Sequence, residues 1–210
     1  MTVIHRSLPP ERRRATNTRP ANTYDPIVNG QTRNLAGFTG AGYDVGRGLL
    51  WQAAWLWVSG TVLMRWWCPA RLRVAVLRLF GAEIGANVLV RHRVRIHWPW
   101  KLAVGDNSWI GEGAWLLNLE PITIGSNVCV SQDTFICTGS HDRHSPTFEF
   151  DNAPILIEDG AWVAARAVVL RGVTVGSRST VAASAVASRD VPADSIVWAE
   201  SHSRSAETSR

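Results

Sequence analysis

Two of the six histidines, His141 and His144, fall within the stretch "CTGSHDRHSPTFEFDNAP" (Cys137–Pro154). An imidazole near neutral pH can accept a proton from a hydroxyl and leave that oxygen nucleophilic. Asp142, the next residue, or a backbone carbonyl would fix the tautomer. A solvent-exposed loop histidine does none of this, and taken alone His141 is open to that reading. His144 reads as a loop residue. A second arrangement is His92 and His97, spaced H-x4-H, with His141 as a third metal ligand. The three cysteines (Cys68, Cys129 and Cys137) are odd in number and match no zinc or disulfide framework. They read as reduced packing residues of a cytoplasmic protein.

The elements that must position these residues are legible in the chain of 210 residues. The formal net charge is +5, and Lys101 is the single lysine. Arg6, Arg12, Arg13, Arg14 and Arg19 crowd the first twenty residues, so the basicity is partly a property of a leader over 1–34. No basic stretch interleaved with aromatics points to nucleic acid. The arginine-rich start has no apolar core segment of a signal peptide.

A helical segment and cap are expected over 35–83. Within it, Gly48–Met64 is 17 residues without a charge, bounded by Arg47 and Arg65. That is at the lower edge of a membrane span. Trp51, Trp55, Trp57, Trp66 and Trp67 suit a helix at a membrane interface, so 46–67 is a candidate for peripheral membrane contact. The alternative is a helix buried under the rest of the protein; Gln52, Ser59 and Gly60 weaken a spanning reading. Leu72, Val76 and Leu79 then recur at helical spacing, which predicts a helix from Pro69 to Phe80 closed by Gly81.

From Ile84 the period becomes six. Ile84, Val90 and Ile96 are followed by Val104, Ile110 and Leu116, then by Ile124, Val130 and Ile136. Ile157, Val163 and Val169 come after the interruption, then Val175, Val181 and Ala187. Four residues on, the position is mostly small. Gly85, Gly105, Gly111, Gly125 and Gly176 follow an aliphatic residue directly, as a tight turn needing unusual backbone angles would ask. A six-residue period is the mark of a parallel β-helix, each unit one short strand and a corner.

Three units close a triangular coil. The phase slips by two residues after Lys101, by two after Pro121 and by fifteen (142–156) after His141, always at the same corner. The reading is an all-β fold: five coils over 84–192, a loop insertion at 142–156 and a polar tail at 193–210. The insertion is then an enlarged corner, not a lapse in the fold. His141 stands at its root.

The repeats, with "NLEPITIGSNVCVSQDTFICTGSHD" and "APILIEDGAWVAARAVVLRGVTVG", resemble the left-handed β-helix (hexapeptide-repeat) O-acetyltransferases. Within that group "LRLFGAEIG", "WPWKLAVGDNSWIGEGAWLLNL" and "SQDTFICTGSHD" are similar to the colanic-acid and exopolysaccharide biosynthesis acetyltransferases. The resemblance covers roughly 70–195. It implies acetyl transfer from acetyl-CoA to a sugar hydroxyl, without a metal, in a homotrimer with sites between neighbouring prisms.

His141 matches the family's general base. Trp162 matches the tryptophan beside the pantetheine arm of CoA, and Ala165 and Ala183 match small residues along it. Ser188 and Arg189 match the pair near the nucleotide end. Asn118 and Asp142 would lie near the acceptor; a side-chain bond stabilising the coil corner is the other reading of Asn118. Ala164, Arg171 and Ser184 depart from the family's usual glycine, proline and glycine. "AESHS" (Ala199–Ser203) replaces a segment that ordinarily helps bind CoA. Transfer would be direct, in a ternary complex, on the cytoplasmic side and at the inner face of a membrane if 46–67 makes contact.

Two rival readings stay in view. One is a β-helix scaffold or binding protein that has lost turnover, suggested by those departures. The other is a metal enzyme resembling the γ-class carbonic anhydrases. For that, the close histidine pair comes first in the chain, in the wrong order. It also lies two coils from His141, about 10 Å at ~4.8 Å per strand, whereas zinc needs ligands near ~2 Å.

Overall fold

The structure, a computed structural model, describes residues 33–199. Nearly all of the leader expected over 1–34, and the tail beyond 199 with most of "AESHS", lie outside the described residues. Helix α1 spans Leu49–Val58 and passes into a π-helical turn at Ser59–Leu63. There the Thr61 hydroxyl donates back to the Trp57 carbonyl at 2.6 Å, a bond that competes with the helical ladder. Helix α2 spans Ala70–Leu79. It ends at Gly81, whose φ of +97° suits the glycine stop read from the sequence.

The first coil holds β1 (Glu83–Ile84), β2 (Leu89–Val90) and β3 (Arg95–Ile96). The second holds β4 (Leu102–Val104), β5 (Trp109–Ile110) and β6 (Trp115–Leu117). The third holds β7 (Ile122–Ile124), β8 (Cys129–Val130) and β9 (Phe135–Cys137). The fourth holds β10 (Ile155–Ile157), β11 (Trp162–Val163) and β12 (Val168–Leu170). The fifth holds β13 (Thr174–Val175), β14 (Thr180–Val181) and β15 (Val186–Ala187).

Equivalent strands pair in parallel and build three sheets: β1-β4-β7-β10-β13, β2-β5-β8-β11-β14-β16 and β3-β6-β9-β12-β15. The predicted five coils are present, and a partial sixth follows. Val191 bridges Val175, and β16 (Ile196–Val197) pairs with β14. Part of the expected polar tail therefore continues the stack.

The period of six follows from the prism. The repeat position of each strand points inward, joined in β4, β7 and β10 by Leu102, Ile122 and Ile155, and strands one coil apart share register, so Ile84 stacks on Val104 and Val104 on Ile124. All fifteen repeat positions are buried except Ile96, which is half-buried beneath the helices. Each fully buried Val, Ile or Leu among them contributes about 1.5–3 kcal/mol.

The glycines after the aliphatic residues serve a different purpose from the one the sequence suggests. None of Gly85, Gly105, Gly111, Gly125 and Gly176 has a positive φ. A Cβ on Gly105 would sit 2.6 Å from the backbone of Gly125, and one on Gly111 2.6 Å from Ser131. Close approach of the next coil demands glycine there. The left-handed conformation falls two residues later, on Asn87, Asn107 and Asn127, with φ of 55–58°.

The helices close the open end, as a β-helix requires of any exposed edge. Arg78 donates to the carbonyls of Ile84 (3.0 Å) and Gly85 (2.6 Å). Arg73 donates to that of Val90, as well as to Leu63 and Arg65. The Trp55 indole donates to the carbonyls of Ile96 (3.3 Å) and His97 (2.9 Å). Each sheet's first strand thus has one side-chain donor over its edge. Trp55 is the sole buried residue of α1, while Leu49, Leu50, Leu56 and Trp57 are exposed. The helix is neither buried as a whole nor a span, and no helix among the described residues is long and apolar enough to cross a membrane.

Candidate active site

The third corner of every coil joins the third sheet to the first. The expected insertions are there: a 3-10 turn at Pro99–Lys101, a short loop after Leu117, and the long arm after Cys137. The arm doubles back as a hairpin. His141 bridges Phe150 in antiparallel fashion. Around that bridge, Asp142 N–H donates to the Glu149 carbonyl (2.8 Å) and Asp151 N–H to that of Ser140 (2.9 Å). Arg171, the residue in place of the family's proline, forms an ion pair with Asp151 and ties the arm's return to the fourth coil.

His141 is held on several sides. Its Nδ1 lies 2.7 Å from the Phe148 carbonyl. A carbonyl only accepts, so Nδ1 carries the proton, and in the neutral form of such a ring Nε2 is the acceptor. The Phe148 ring stacks on the imidazole at 4.3 Å and 8°, Phe150 stacks at 5.2 Å, and Phe38 meets it edge-on at 5.7 Å. Phe148 has a φ of +57°, rare for a bulky side chain and the kind of strain that gathers at functional sites.

Phe38 comes from a segment 110 residues away in sequence, pinned by Glu149. That carboxylate accepts from Thr39 N–H (3.0 Å) and hydroxyl (3.2 Å), Gly40 N–H (3.0 Å) and the Thr147 hydroxyl (3.0 Å). The Thr39 amide, followed by the Thr147 hydroxyl, holds the Glu149 carboxyl below the usual range.

Asp142 is committed to the turn, where its carboxylate accepts from His144 N–H at 2.8 Å. Asn118 is fully buried, its amide bonded to both the N–H (2.9 Å) and the carbonyl of Trp98. It serves the corner, as one reading of the sequence has it. Burial pushes the Cys137 thiol up, the wrong direction for an acyl carrier. The metal triad does not converge. His92 is paired with Glu112 at 3.1 Å at the corner between the second and third sheets. His97, at the third corner, packs on Trp98 and is kept neutral by burial and then by Lys101. Among the described residues no group of three or more His, Cys, Asp or Glu could hold a metal.

The residues matched to CoA binding separate into two places. Trp162 projects from the second sheet, half exposed, its indole donating to Ser131 Oγ at 2.9 Å. Ala165 and Ala183 occupy the adjoining corner one coil apart, joined through a Ser184 N–H bond to the Ala165 carbonyl (3.0 Å). Ser188 and Arg189 are exposed at the third corner, two coils beyond His141. In one chain the second sheet lies opposite the third corner, so Trp162 and His141 do not meet. The departures at 164 and 184 are accommodated: Ala164 is buried, and Ser184 takes a φ of +60°.

Phe38, Phe148, Glu149 and Phe150 are site residues that reading the sequence misses. The alternation "FEF" inside the arm is a strand signal that would have put both phenylalanines on one face.

No protein-family model matches the chain. Over 168 residues, 78% of this chain, it is 38% identical to WcaF of Escherichia coli (strain K12) and covers 91% of that protein, whose name places it as a colanic acid biosynthesis acetyltransferase. Its structure resembles that of a hexapeptide-repeat acetyltransferase from Vibrio cholerae in complex with acetyl coenzyme A. The TM-score is 0.62 and the identity 30%, over 69% of this chain and 79% of that one. A galactoside acetyltransferase in complex with coenzyme A shares the fold at a TM-score of 0.65 and 19% identity, over 70% of this chain and 75% of that one.

Proposed function

The chain belongs to the hexapeptide-repeat acetyltransferase family, and from that premise we propose that it acetylates a sugar hydroxyl of an exopolysaccharide or its precursor, with His141 as general base. The acetyl donor is acetyl-CoA, the molecule bound in the Vibrio cholerae relative, while the galactoside acetyltransferase is in complex with coenzyme A. His141 Nε2 takes the hydroxyl proton while the oxygen attacks the thioester carbonyl. The new C–O bond forms, the C–S bond breaks, and the imidazolium returns its proton to the CoA sulfur. Both substrates are bound together in a ternary complex; the Cys137 thiol, pushed up by burial, is ill suited to carry the acetyl group. The observation that carries this reading is the His141 imidazole, fixed in one tautomer by the Phe148 carbonyl at a rigid corner.

The active unit we propose is a trimer. Trp162, Ala165 and Ala183 lie away from His141 within one chain, and a neighbouring chain would supply the missing half. In support, the second and third sheets point apolar ladders outward, such as Leu89–Trp109–Cys129–Trp162 and Trp115–Phe135–Val168. We place the enzyme in the cytoplasm, at the inner membrane face. The test is CoA release with saccharide acceptors. His141→Ala should lower the rate by ~10²–10⁴-fold and leave acetyl-CoA binding by calorimetry unchanged; retained turnover removes the histidine from the chemistry.

A further inference from the structure

We infer that the outward faces of α1 and α2 form a docking surface for an anionic phospholipid bilayer. The inner faces are already used: Trp55, Arg73 and Arg78 are bonded to the carbonyls of the first coil. The helices therefore cannot rotate their remaining apolar side chains inward. Leu49, Leu50, Leu56, Trp57, Trp66 and Leu79 face outward, with Leu50 88% and Trp66 81% exposed. From Val45 to Ala82 there is no Asp or Glu, while Arg47, Arg65 and Arg71 are exposed beside the apolar residues.

The charge pattern selects the occupant. A second copy seated on this face about a two-fold would bring the same patch against itself. Arginines would meet arginines with no carboxylate from Val45 to Ala82 on either copy, the exposed Asp44 and Glu83 lying just outside that stretch. Lipid phosphates supply the missing negative charge, and tryptophan's mixed apolar and polar character suits the headgroup boundary. The faces that suit neighbouring prisms are elsewhere, on the second and third sheets.

Docked this way, the helices lie between the membrane and the first coil, a layer of roughly 10 Å, and His141 stands two coils beyond the first, about 10 Å further at ~4.8 Å per coil. That is within reach of a saccharide anchored in the same bilayer. This last point rests on the acetyl-transfer reading; the docking itself does not.

The test is co-sedimentation of the full chain with phosphatidylcholine vesicles and with vesicles containing phosphatidylglycerol, at low and high salt. Pelleting is expected with the anionic vesicles and should weaken as salt screens the arginines. Leu50→Glu/Trp57→Glu should reduce it by at least about tenfold without changing the elution volume or acetyl transfer to a soluble acceptor. Arg65→Ser/Arg71→Ser should erase the preference for anionic lipid. Three results would each overturn the inference. They are failure of the wild type to pellet; unchanged pelleting of the Glu variant, which would assign binding to another segment; and a shift of its elution to a smaller species, which would assign the face to a second copy.

Discussion

At the scale of single residues, the site depends on one hydrogen bond and one strained backbone. The Phe148 carbonyl decides which nitrogen of His141 carries the proton, and Phe148 adopts a left-handed conformation to present it. The nearby thiol has no such preparation. Cys137 is buried and its ionisation suppressed. Cys137→Ser should therefore keep acetyl transfer within a few-fold of wild type in a CoA-release assay. Loss on the scale of His141→Ala would mean an acyl-cysteine intermediate after all.

At the scale of elements, the arm and residues 33–46 form one unit through Glu149. Its carboxyl is held below the ordinary range by the Thr39 amide, then the Thr147 hydroxyl. A depressed carboxylate contributes in full above its unfolded value, about 4.3 for Glu, and the contribution is lost as pH falls through the lower folded value. Acidification should accordingly free the Thr39 and Gly40 amides. Hydrogen exchange of those two amides, referred to the coil amides, should accelerate on the acid side in the wild type. In Glu149→Gln it should be fast already at neutral pH. A flat, slow profile in both proteins would mean that the clamp does not depend on the carboxylate.

At the scale of the molecule, two predictions concern how the prism is closed and how it assembles. Arg73 is buried, and its guanidinium serves three carbonyls, those of Leu63, Val90 and Arg65. Arg73→Met leaves them without a donor and should cost about 1–3 kcal/mol, read as a lower urea midpoint at unchanged slope. Arg78→Met should cost less, because Arg78 is exposed and water can replace it. Assembly is tested by mixing. If neighbouring chains share each site, inactive His141→Ala and Trp162→Ala proteins, unfolded and refolded together, should regain part of the activity. No regain would confine the site to one chain.

The period of six, the corner that absorbs all three insertions, the helix before the first coil and the position of His141 were all determined by the sequence itself. Each depends on a pattern within eighteen to twenty residues, because every strand pairs with the one a coil away. The third corner is legible for the same reason, since a slip in phase shows wherever the surrounding repeat is regular. The tertiary structure decided what no short window holds. Gly105 is there for the coil above it rather than for its own backbone angles. Asn118 is spent on Trp98. Phe38 reaches His141 across a hundred residues of chain. The outward faces of α1 and α2 are exposed because their inner faces are the ones turned to the first coil, through Trp55, Arg73 and Arg78. Packing between distant segments fixes these matters, and distance along the chain leaves no periodic trace of it.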